Sequence, residues 1–375
     1  MRVLVSGGGT GGHINPALAI ADMIKKKDKD AVIEYVGTKR GLEATLVPKA
    51  GYKIHFIKVR GFQRSLSLSN FDAAVKAVTS VLEAKKIIKD FKPDIVIGTG
   101  GYVCWPVLKA ASKMNIPTCV HESNAFPGVT TRMLSKYVDV VLLGYEESKE
   151  YLDCDKEKLV RVGSPVSEKM LNANKETARE KLGISADEKM VLSAGGSLGA
   201  KPLNDNVYEL IKNYTLPKNI RHIHATGNAG WQEQKELYKG LGFTEIDSDT
   251  LVRGKVTVCR YIYNMHELLP ACDVEICRAG AMTMSELAIL GKAAVIIPSP
   301  YVTNNHQYKN AKVLCDKGAA LMIEEKNLDG ETLTETVKTL IEDDEKRQKI
   351  ENNVRTFAVT DTLSQIYEII KKLVK

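Results

Sequence analysis

The chain has 375 residues, of which 44% are hydrophobic and 26% charged, a composition typical of a soluble globular protein. This length exceeds what one ordinary hydrophobic core organises, so two domains are expected. The formal net charge of +7 suits an anionic partner, either a phosphate-bearing substrate or an acidic membrane surface, and the scattered lysines argue against nucleic acid.

Cysteine usage and the apolar runs indicate the compartment. The seven cysteines form no C-x-x-C pair, and no histidine stands at metal-ligand spacing, which predicts reduced cysteines in the cytosol. The N-terminus enters a strand at once, so no signal peptide is expected. No apolar run approaches the roughly 20 residues that span a bilayer, so any membrane contact is expected to be peripheral.

The first half alternates short apolar runs with helical patterns. Helices are expected to begin near Asn15, Gly41, Asn70, Trp105 and Gly128. Val/Ile/Leu-rich strands in strand–helix–strand order are typical of a parallel sheet buried on both faces. The expected strands are RVLVSG, AVIEYVG, KIHFIKV, DIVIGTG, PTCVHE and DVVLLG.

The pattern then restarts, with strands expected at MVLSAGG, IRHIHATG, KVTVCRYI, DVEICRAG, AAVIIPSP and AALMIEE. We therefore predict an α/β protein with two Rossmann-like, doubly wound parallel-sheet domains, residues 1–163 and 164–347. Residues 348–375 are expected to form a C-terminal helix that packs back on the first domain. Ligands of such sheets bind beyond the carboxyl ends of the strands, here in a cleft that both domains would face.

Three glycine-rich turns follow expected strands, namely GGGTGGH at 7–13, GTGGY at 98–102 and GGSLGA at 195–200. Such turns let backbone N–H groups approach an anion, and a following helix adds its positive N-terminal end. Gly7, Gly9 and Gly12 match the register of a dinucleotide-binding turn. The second strand, however, ends in Gly37 and Thr38 instead of an acidic residue. This predicts a phosphate-holding loop without adenosine recognition.

Polar residues at two strand ends are candidates for catalysis. His13 closes the first loop at an expected helix start, where a neutral imidazole could act as general base; the alternative is a structural capping residue. HESNAFPG places His121, Glu122 and Asn124 at another strand end, which indicates function. For Glu122 the alternative, a hydrogen-bonded brace of the loop, is favoured.

The second half carries a candidate nucleoside and sugar site. CRAGAMTMSELAILG predicts a turn at Gly280 and a helix with Glu286 in its first turn. A carboxylate there suits the two hydroxyls of a ribose; the alternative is simple complementation of the helix dipole. Residues 304–307, NNHQ, combine amides and an imidazole, which suit sugar hydroxyls.

Together these motifs, spread in order from residue 7 to 307, resemble the MurG family. Its members are UDP-N-acetylglucosamine transferases that convert lipid I to lipid II in bacterial peptidoglycan synthesis. The resemblance covers practically the whole chain. It implies the GT-B fold, with the acceptor bound mainly by the first domain and the donor by the second. It also implies UDP-GlcNAc and undecaprenyl-diphospho-MurNAc-pentapeptide (lipid I) as substrates, no cofactor, and other cell-wall synthesis proteins as candidate partners.

The resemblance also assigns residue roles. Uracil would be bound by the backbone of Ile262, the ribose by Glu286, and the GlcNAc hydroxyls by Gln307. The acceptor diphosphate would contact Gly11, Gly12, Gly100, Gly101 and Tyr102. All implied contacts with UDP-GlcNAc are Thr10, Gly11, Gly12, Asn124, Ser197, Ile262, Ala281, Met282, Thr283, Met284, Ser285, Glu286, His306 and Gln307.

Two positions depart from the family pattern. Where members often carry Asn-Pro-x-Arg, this chain has GSPVSEK, with Ser164 and Ser167 at those places and Lys169 as a candidate substitute for the arginine. Trp105 stands where a small residue is more usual, and it either anchors at a membrane interface or packs under its helix.

An α-linked sugar nucleotide that gives a β-glycoside implies inversion by one direct displacement. His13 is the first candidate for the base at the acceptor hydroxyl, His121 is the second, and Glu122 could orient either. Loop N–H groups and helix N-termini would meet the charge on the departing UDP. The chain has no Asp-x-Asp pair, so no required metal ion is predicted.

The polyprenyl acceptor implies work at the cytoplasmic face of the cell membrane. An apolar loop beside lysines suits an anionic membrane surface. The helix that follows is itself expected to face the sheet, because its apolar residues share helical spacing. The residues concerned are Phe62, Leu66, Leu68 and Phe71, followed by Lys76, Lys85, Lys86 and Lys89.

Three other functional classes stay open on the sequence. A UDP-GlcNAc 2-epimerase shares the two-domain fold but acts on one soluble sugar nucleotide. A diacylglycerol glycosyltransferase would use another lipid and lack the combination of HESNA and NNHQ. A non-catalytic protein would bind UDP-GlcNAc without turnover.

Overall fold

A computed structural model of the chain describes residues 1–59, 69–196, 198–213 and 219–374, with the backbone alone for 69–78. Two compact units result: unit 1 is Met1–Ser167 with Val359–Lys375, and unit 2 is Glu168–Ala358. The sequence-based boundaries differ by a few residues at the first junction. They differ more at the second, where residues 348–358 belong to unit 2.

Unit 1 is a seven-stranded, wholly parallel sheet. Its strands are β1 Arg2–Ser6, β2 Val32–Gly37, β3 Lys53–Phe56, β4 Ile95–Gly98, β5 Thr118–Glu122, β6 Val140–Leu143 and β7 Leu159–Arg161, in the order β3-β2-β1-β4-β5-β6-β7. Its first helices are α1 Gly11–Lys27, α2 Glu43–Lys49, α3 Ser69–Phe91, α4 Cys104–Lys113 and α5 Val129–Leu134. All six predicted strands are present, and β7 was missed because its three residues are too short to show a pattern.

Unit 2 is an eight-stranded sheet. Its strands are β8 Lys189–Ala194, β9 Ile220–Ala225, β10 Thr244–Asp247, β11 Thr250–Arg253, β12 Val256–Cys259, β13 Val274–Cys277, β14 Ala293–Ile296 and β15 Leu321–Met322. Their order is β10-β11-β12-β9-β8-β13-β14-β15. Its helices are α6 Glu168–Leu171, α7 Lys175–Lys181, α8 Lys201–Asn213, α9 Trp231–Gly240, α10 Met265–Ala271, α11 Ala281–Leu290, α12 His306–Cys315, α13 Gly330–Glu342 and α14 Asp344–Arg355.

The second sheet is parallel, as predicted, except at one edge, where β10 pairs antiparallel with β11 and β11 with β12. The hairpin escaped the sequence analysis because all four residues of β10 are exposed, so the strand carries no apolar face. From β12 to β15 the strands are parallel and repeat the doubly wound order of unit 1.

The C-terminal segment forms two helices instead of one. α14 packs against α11 and β14 of unit 2, with Arg355 beside Gly291. The chain then bends, and the last helix, α15 (Thr362–Val374), packs against α1 of unit 1.

In both units the glycine turns lie at the topological switch point of the sheet. In unit 1, β1 lies between β2 and β4, so the connections after β1 and after β4 run in opposite directions along the sheet. In unit 2, β8 lies between β9 and β13, and the connections after β8 and after β13 diverge in the same way. The crevice that this creates is where open α/β sheets bind ligands. The strands leading there are apolar and buried, as in β4, because helices cover both faces.

Candidate active site

The two glycine turns of unit 1 pack directly on each other. Gly8 N donates to Gly100 O at 3.4 Å, and a Cβ on Gly101, whose φ is +82°, would lie 2.2 Å from Gly8 O. The buried Cys104 thiol lies 3.0 Å from Ser6 O and 2.9 Å from Gly100 O. Glycine is required here by close approach, and the two turns form one continuous backbone surface.

His13 lies on this surface as the third residue of α1. The helix starts four residues before the predicted Asn15, because extended Thr10 serves as its N-cap. His13 Nδ1 lies 3.1 Å from Thr99 O, and Thr99 Oγ1 donates to His13 O at 2.6 Å. A carbonyl only accepts, so Nδ1 carries the proton and Nε2 is the basic nitrogen of the neutral ring.

Glu43, a buried carboxylate behind the first turn, was not predicted from the sequence. Its Oε2 accepts from Gly9 N at 3.0 Å, and its Oε1 accepts from Thr38 N at 3.0 Å and Thr38 Oγ1 at 2.7 Å. An acidic residue shortly after the end of β2 was the available signal. It was overlooked because Glu43 belongs to α2 and reaches back to the strand end.

His121, Glu122 and Asn124 lie at the end of β5, where their side chains bond to their own loop. His121 is fully buried (0% exposed), which lowers its pKa; its Nε2 donates to Gly163 O at 2.8 Å, and Nδ1 lies 3.2 Å from the Ser123 hydroxyl. Both ring nitrogens thus have partners inside the protein. This geometry favours His13 over His121 as a candidate base.

Glu122 braces the turn that follows β5. Its Oε1 accepts from Asn124 N at 3.0 Å and from Asn124 Nδ2 at 2.9 Å, and its Oε2 accepts from Gly128 N at 2.9 Å. These bonds agree with the structural alternative for Glu122. They also fix the amide of Asn124, with its nitrogen toward Glu122.

In unit 2, Glu286 lies in the second turn of α11, so its predicted place in the first turn is wrong. The helix begins only at Ala281, after the extended Gly280, which makes Glu286 its sixth residue. Complementation of the helix dipole therefore weakens as an explanation, since that effect is confined to the first turn. Burial raises the pKa of Glu286 to about 7.

The NNHQ turn after β14 is tightly wound. Asn304 and Asn305 both adopt left-handed backbone conformations, with φ of 54° and 53°. His306 Nδ1 lies 2.9 Å from Thr303 O, and Gln307 Oε1 accepts from Ser299 N at 2.8 Å. The amide oxygen of Gln307 is thereby occupied, so its amino group is the donor that a ligand could meet.

Ile262 follows β12 and is buried between two exposed tyrosines. The rings of Tyr261 and Tyr263 lie 4.8 Å apart, and Tyr263 is 81% exposed. Gly227 N donates to Arg260 O at 2.9 Å, which joins this turn to the loop after β9. Ser197, the predicted diphosphate contact, lies outside the described residues.

The predicted residues that the structure describes thus lie at or after the carboxyl ends of strands in both units. In unit 1 they lie at the carboxyl ends of β1, β4 and β5, three adjacent strands. They comprise Thr10, Gly11, Gly12, His13, Gly100, Gly101, Tyr102, His121, Glu122 and Asn124. In unit 2 they follow β12, β13 and β14 and comprise Ile262, Ala281, Met282, Thr283, Met284, Ser285, Glu286, His306 and Gln307.

Known proteins carry the same organisation. The profile of the "Glycosyltransferase family 28 N-terminal domain" matches residues 3–143, and that of the "Glycosyltransferase family 28 C-terminal domain" matches residues 190–370. A relative from Acetivibrio thermocellus, named UDP-N-acetylglucosamine--N-acetylmuramyl-(pentapeptide) pyrophosphoryl-undecaprenol N-acetylglucosamine transferase, is 47% identical and covers 100% of this chain and 99% of its own. A Bacillus cytotoxicus protein of the same name is 42% identical over 100% of both chains.

The solved structure of Acinetobacter baumannii MurG superposes with a TM-score of 0.75 at 27% identity over 99% of both chains. The chain belongs to the MurG family. Its fold is accordingly GT-B, as predicted. A UDP-GlcNAc 2-epimerase from Neisseria meningitidis has a TM-score of 0.66 at 16% identity over 99% of this chain and 100% of its own, a likeness of fold alone.

This MurG-family chain departs from the family pattern at Ser164 and Ser167 and at Trp105. Ser164 is buried, and its hydroxyl has no hydrogen-bond partner among the described residues, whereas Ser167 is exposed. Trp105 packs against the hydrophobic core of unit 1, in agreement with the alternative that places it under its helix.

Clusters of metal ligands and membrane-spanning helices are both lacking among the described residues. In that part of the chain, no group of three or more His, Cys, Asp or Glu residues could hold a metal ion. Nor does any described helix have the length and apolarity needed to cross a membrane. The predicted membrane loop with Phe62, Leu66 and Leu68, and the side chains of Phe71 and Lys76, lie outside the described residues.

Proposed function

We propose that the protein transfers GlcNAc from UDP-GlcNAc to the C4 hydroxyl of the MurNAc of lipid I, which gives lipid II for peptidoglycan synthesis. The identity of 47% to a relative named for this transfer, over the full length of both chains, carries the proposal. Separate polar sites at the strand ends of each unit suit a reaction that joins two substrates.

Unit 2 is proposed to bind the donor. The ionised carboxylate of Glu286 would accept hydrogen bonds from both ribose hydroxyls, which its half-buried position on α11 would strengthen. The backbone of Ile262 would bind uracil, and Ala281 to Ser285 would surround the nucleoside. The amino group of Gln307 and the ring of His306 would bind the hydroxyls of GlcNAc. Ser197 is proposed for the diphosphate.

Unit 1 is proposed to bind the acceptor. The turns with Gly100, Gly101 and Tyr102 and the first turn of α1, at Gly11 and Gly12, would lie against its diphosphate. Backbone N–H groups at the start of the 17-residue helix α1 are suited to an anion. Thr10 and Asn124 are proposed to contact the donor sugar, with Asn124 fixed by Glu122.

The chemistry is one inverting displacement. The C4 oxygen of MurNAc forms a bond to the anomeric carbon of GlcNAc while the bond to UDP breaks, and UDP leaves with the electron pair. His13 Nε2 takes the hydroxyl proton, because Nδ1 already donates toward Thr99 O. General-base catalysis of this kind typically contributes about 10²–10⁴-fold in rate.

The protein is further proposed to work at the cytoplasmic face of the cell membrane, where the lipid acceptor lies. On α3, Lys86 and Lys89 are exposed and Lys85 is half-buried, while Leu82 is 60% exposed. Lysines beside exposed apolar surface favour anionic lipid. Other cell-wall synthesis proteins are proposed as partners at the same surface.

The decisive experiment offers radiolabelled UDP-GlcNAc and a lipid I analogue to the full chain in detergent, with product mass as readout. We expect a product heavier than the acceptor by one GlcNAc, and about ten- to a hundredfold less of it with Glu286→Gln at limiting donor. Conversion of UDP-GlcNAc to UDP-ManNAc without acceptor would instead identify an epimerase. Binding of UDP-GlcNAc without any turnover under varied detergents would also overturn the proposal.

A further inference from the structure

Glu43 is the most completely enclosed charged side chain near the proposed acceptor site. It is 0% exposed, and three bonds of 2.7 to 3.0 Å join its two oxygens to Gly9 and Thr38. Gly9 belongs to the turn after β1, and Thr38 directly follows the neighbouring strand β2. One carboxylate therefore ties the glycine turn to the adjacent strand end.

Several glycines around Glu43 leave space for it. A Cβ on Gly41 would lie 2.0 Å from a carboxylate oxygen of Glu43, and one on Gly8 would lie 2.7 Å away. A Cβ on Gly37 would lie 2.6 Å from Glu43 Cγ. None of these three glycines has a positive φ, so they are needed for close approach and not for backbone conformation. Part of the glycine-rich character of this region thus serves an internal side chain and not a ligand.

The surroundings of Glu43 also explain which backbone donors remain for a ligand. All three partners of Glu43 are donors, and no lysine or arginine of the described residues forms an ion pair with it. In a dinucleotide-binding turn such N–H groups face a phosphate. Here the N–H of Gly9 is used by the protein's own carboxylate. A buried carboxylate without a cation is costly to keep for stability alone, which suggests a role in geometry.

We propose that Glu43 is a positioning residue of the acceptor site. By holding Gly9 it fixes the turn after β1 against the turn that carries Gly100 and Gly101. Gly100 in turn contacts the ring of His13, since a Cβ there would lie 2.6 Å from His13 Nδ1. Glu43 thereby sets the place of His13 and leaves Gly11 and Gly12 to meet the acceptor diphosphate. This inference rests on the proposed transfer reaction.

The test compares Glu43→Gln with the wild-type full chain. The glutamine amino group would face an N–H donor of Gly9 or Thr38, so the turn should be released. We expect KM for the lipid I analogue to rise on the order of tenfold to a hundredfold, the range set by loss of a hydrogen bond to a charged group. KM for UDP-GlcNAc should rise less, within about twofold, because the proposed contacts with uracil and ribose lie in unit 2. Hydrogen exchange of the peptide containing Gly9 should accelerate.

Two further variants separate positioning from general destabilisation. Glu34→Gln is the matched control, because Glu34 lies on β2 and bonds at 3.0 Å to Lys53 and at 2.5 Å to His55, away from the glycine turn. It should leave both KM values unchanged. Gly41→Ala keeps the carboxylate but displaces it, and should reproduce the rise in acceptor KM if Glu43→Gln does not fold.

Equal rises in both KM values, or a folded Glu43→Gln or Gly41→Ala variant with wild-type acceptor KM, would overturn the inference. Failure of the proposed function is distinguishable, because the wild-type chain would then transfer no GlcNAc at all.

Discussion

The two units share one sheet order but differ at the strand ends where their sites lie. In unit 1, loop N–H groups are occupied by the buried carboxylates of Glu43 and Glu122. In unit 2, Glu286 makes no hydrogen bond to another described residue and its pKa is raised to about 7, while Tyr263 is 81% exposed. The same fold thus supports a backbone surface fixed by internal bonds in one unit. In the other unit it supports polar and aromatic side chains whose contacts a bound ligand would supply.

The largest effect should come from the fixed surface of unit 1. Replacing His13 by Gln should lower kcat on the order of 10²–10⁴-fold, because the basic nitrogen is lost. KM for UDP-GlcNAc should change little, since His13 is not among the proposed donor contacts. Single-turnover transfer to a lipid I analogue measures the effect.

His121→Gln is the matched comparison for His13. The imidazole of His121 is buried and hydrogen-bonded to Gly163 O and Ser123. The substitution should therefore lower the unfolding temperature, while kcat of the folded protein should change little. If His121→Gln abolished turnover in a stably folded chain while His13→Gln stayed near wild type, the roles of the two histidines would be reversed.

The second effect distinguishes the interiors of the units. In unit 2 the Ser193 hydroxyl lies 2.8 Å from His222 Nε2 and 2.9 Å from His224 Nδ1. Burial lowers the pKa of His222 to about 3 and that of His224 to about 4. Both rings stay neutral in the fold but gain protons in the unfolded chain near pH 6.5. The free energy of unfolding of unit 2 should therefore fall as pH drops below 6.5, by on the order of 3 kcal/mol per histidine at the folded pKa values.

Each unit contains one tryptophan, Trp105 in unit 1 and Trp231 in unit 2, so fluorescence can show in which unit the stability is lost at low pH. Fluorescence of a Trp105→Phe chain during acid denaturation reports unit 2. His224→Asn should flatten the pH dependence, whereas His266→Asn, at a half-buried position, should not. An unchanged slope in His224→Asn would mean that these histidines do not control the acid stability of unit 2.

The third effect concerns the proposed UDP site of unit 2, where a ligand would supply the hydrogen bonds of Glu286. If the ionised carboxylate of Glu286 binds the ribose, UDP affinity should be full above pH 7. It should fall below pH 7 by up to about tenfold per pH unit, because protonation removes the acceptor. Glu286→Gln should weaken UDP by about ten- to a hundredfold near pH 8 and remove the pH dependence. Calorimetric titration with UDP from pH 6 to 8.5 measures both, and a wild-type profile without slope would contradict the assignment.

The features that could be predicted from the sequence are those that leave a local pattern along the chain. Apolar strands and glycine turns leave local patterns, so the two doubly wound sheets and the strand-end position of His13 and Asn124 could be predicted. The helix that carries Glu286 was also predicted, but the place of Glu286 in its first turn was not correct. The hairpin at β10, all of whose residues are exposed, left no such pattern. Glu43 was missed because its role depends on a contact across the sheet, from α2 to a turn 34 residues earlier. Contacts of that kind are set by packing and not by spacing along the chain.

The smallest effect concerns membrane binding, and it tests whether unit 1, and not unit 2, contacts the lipid. Lys85, Lys86 and Lys89 lie on the lysine-rich part of α3, and each lysine near an anionic surface contributes about 1 kcal/mol. Changing all three to Gln should weaken binding to vesicles that contain anionic lipid, more at low salt than at high salt.

The control variant changes Lys317, Lys346 and Lys349 of unit 2, which are exposed and alter net charge equally. Sedimentation with phosphatidylglycerol vesicles should separate the two triple variants if α3 faces the membrane. Equal losses would mean that the net charge of +7, and not a surface of unit 1, attracts the protein to lipid. Because transfer to a water-soluble acceptor analogue does not require that surface, its rate should be the same in both variants.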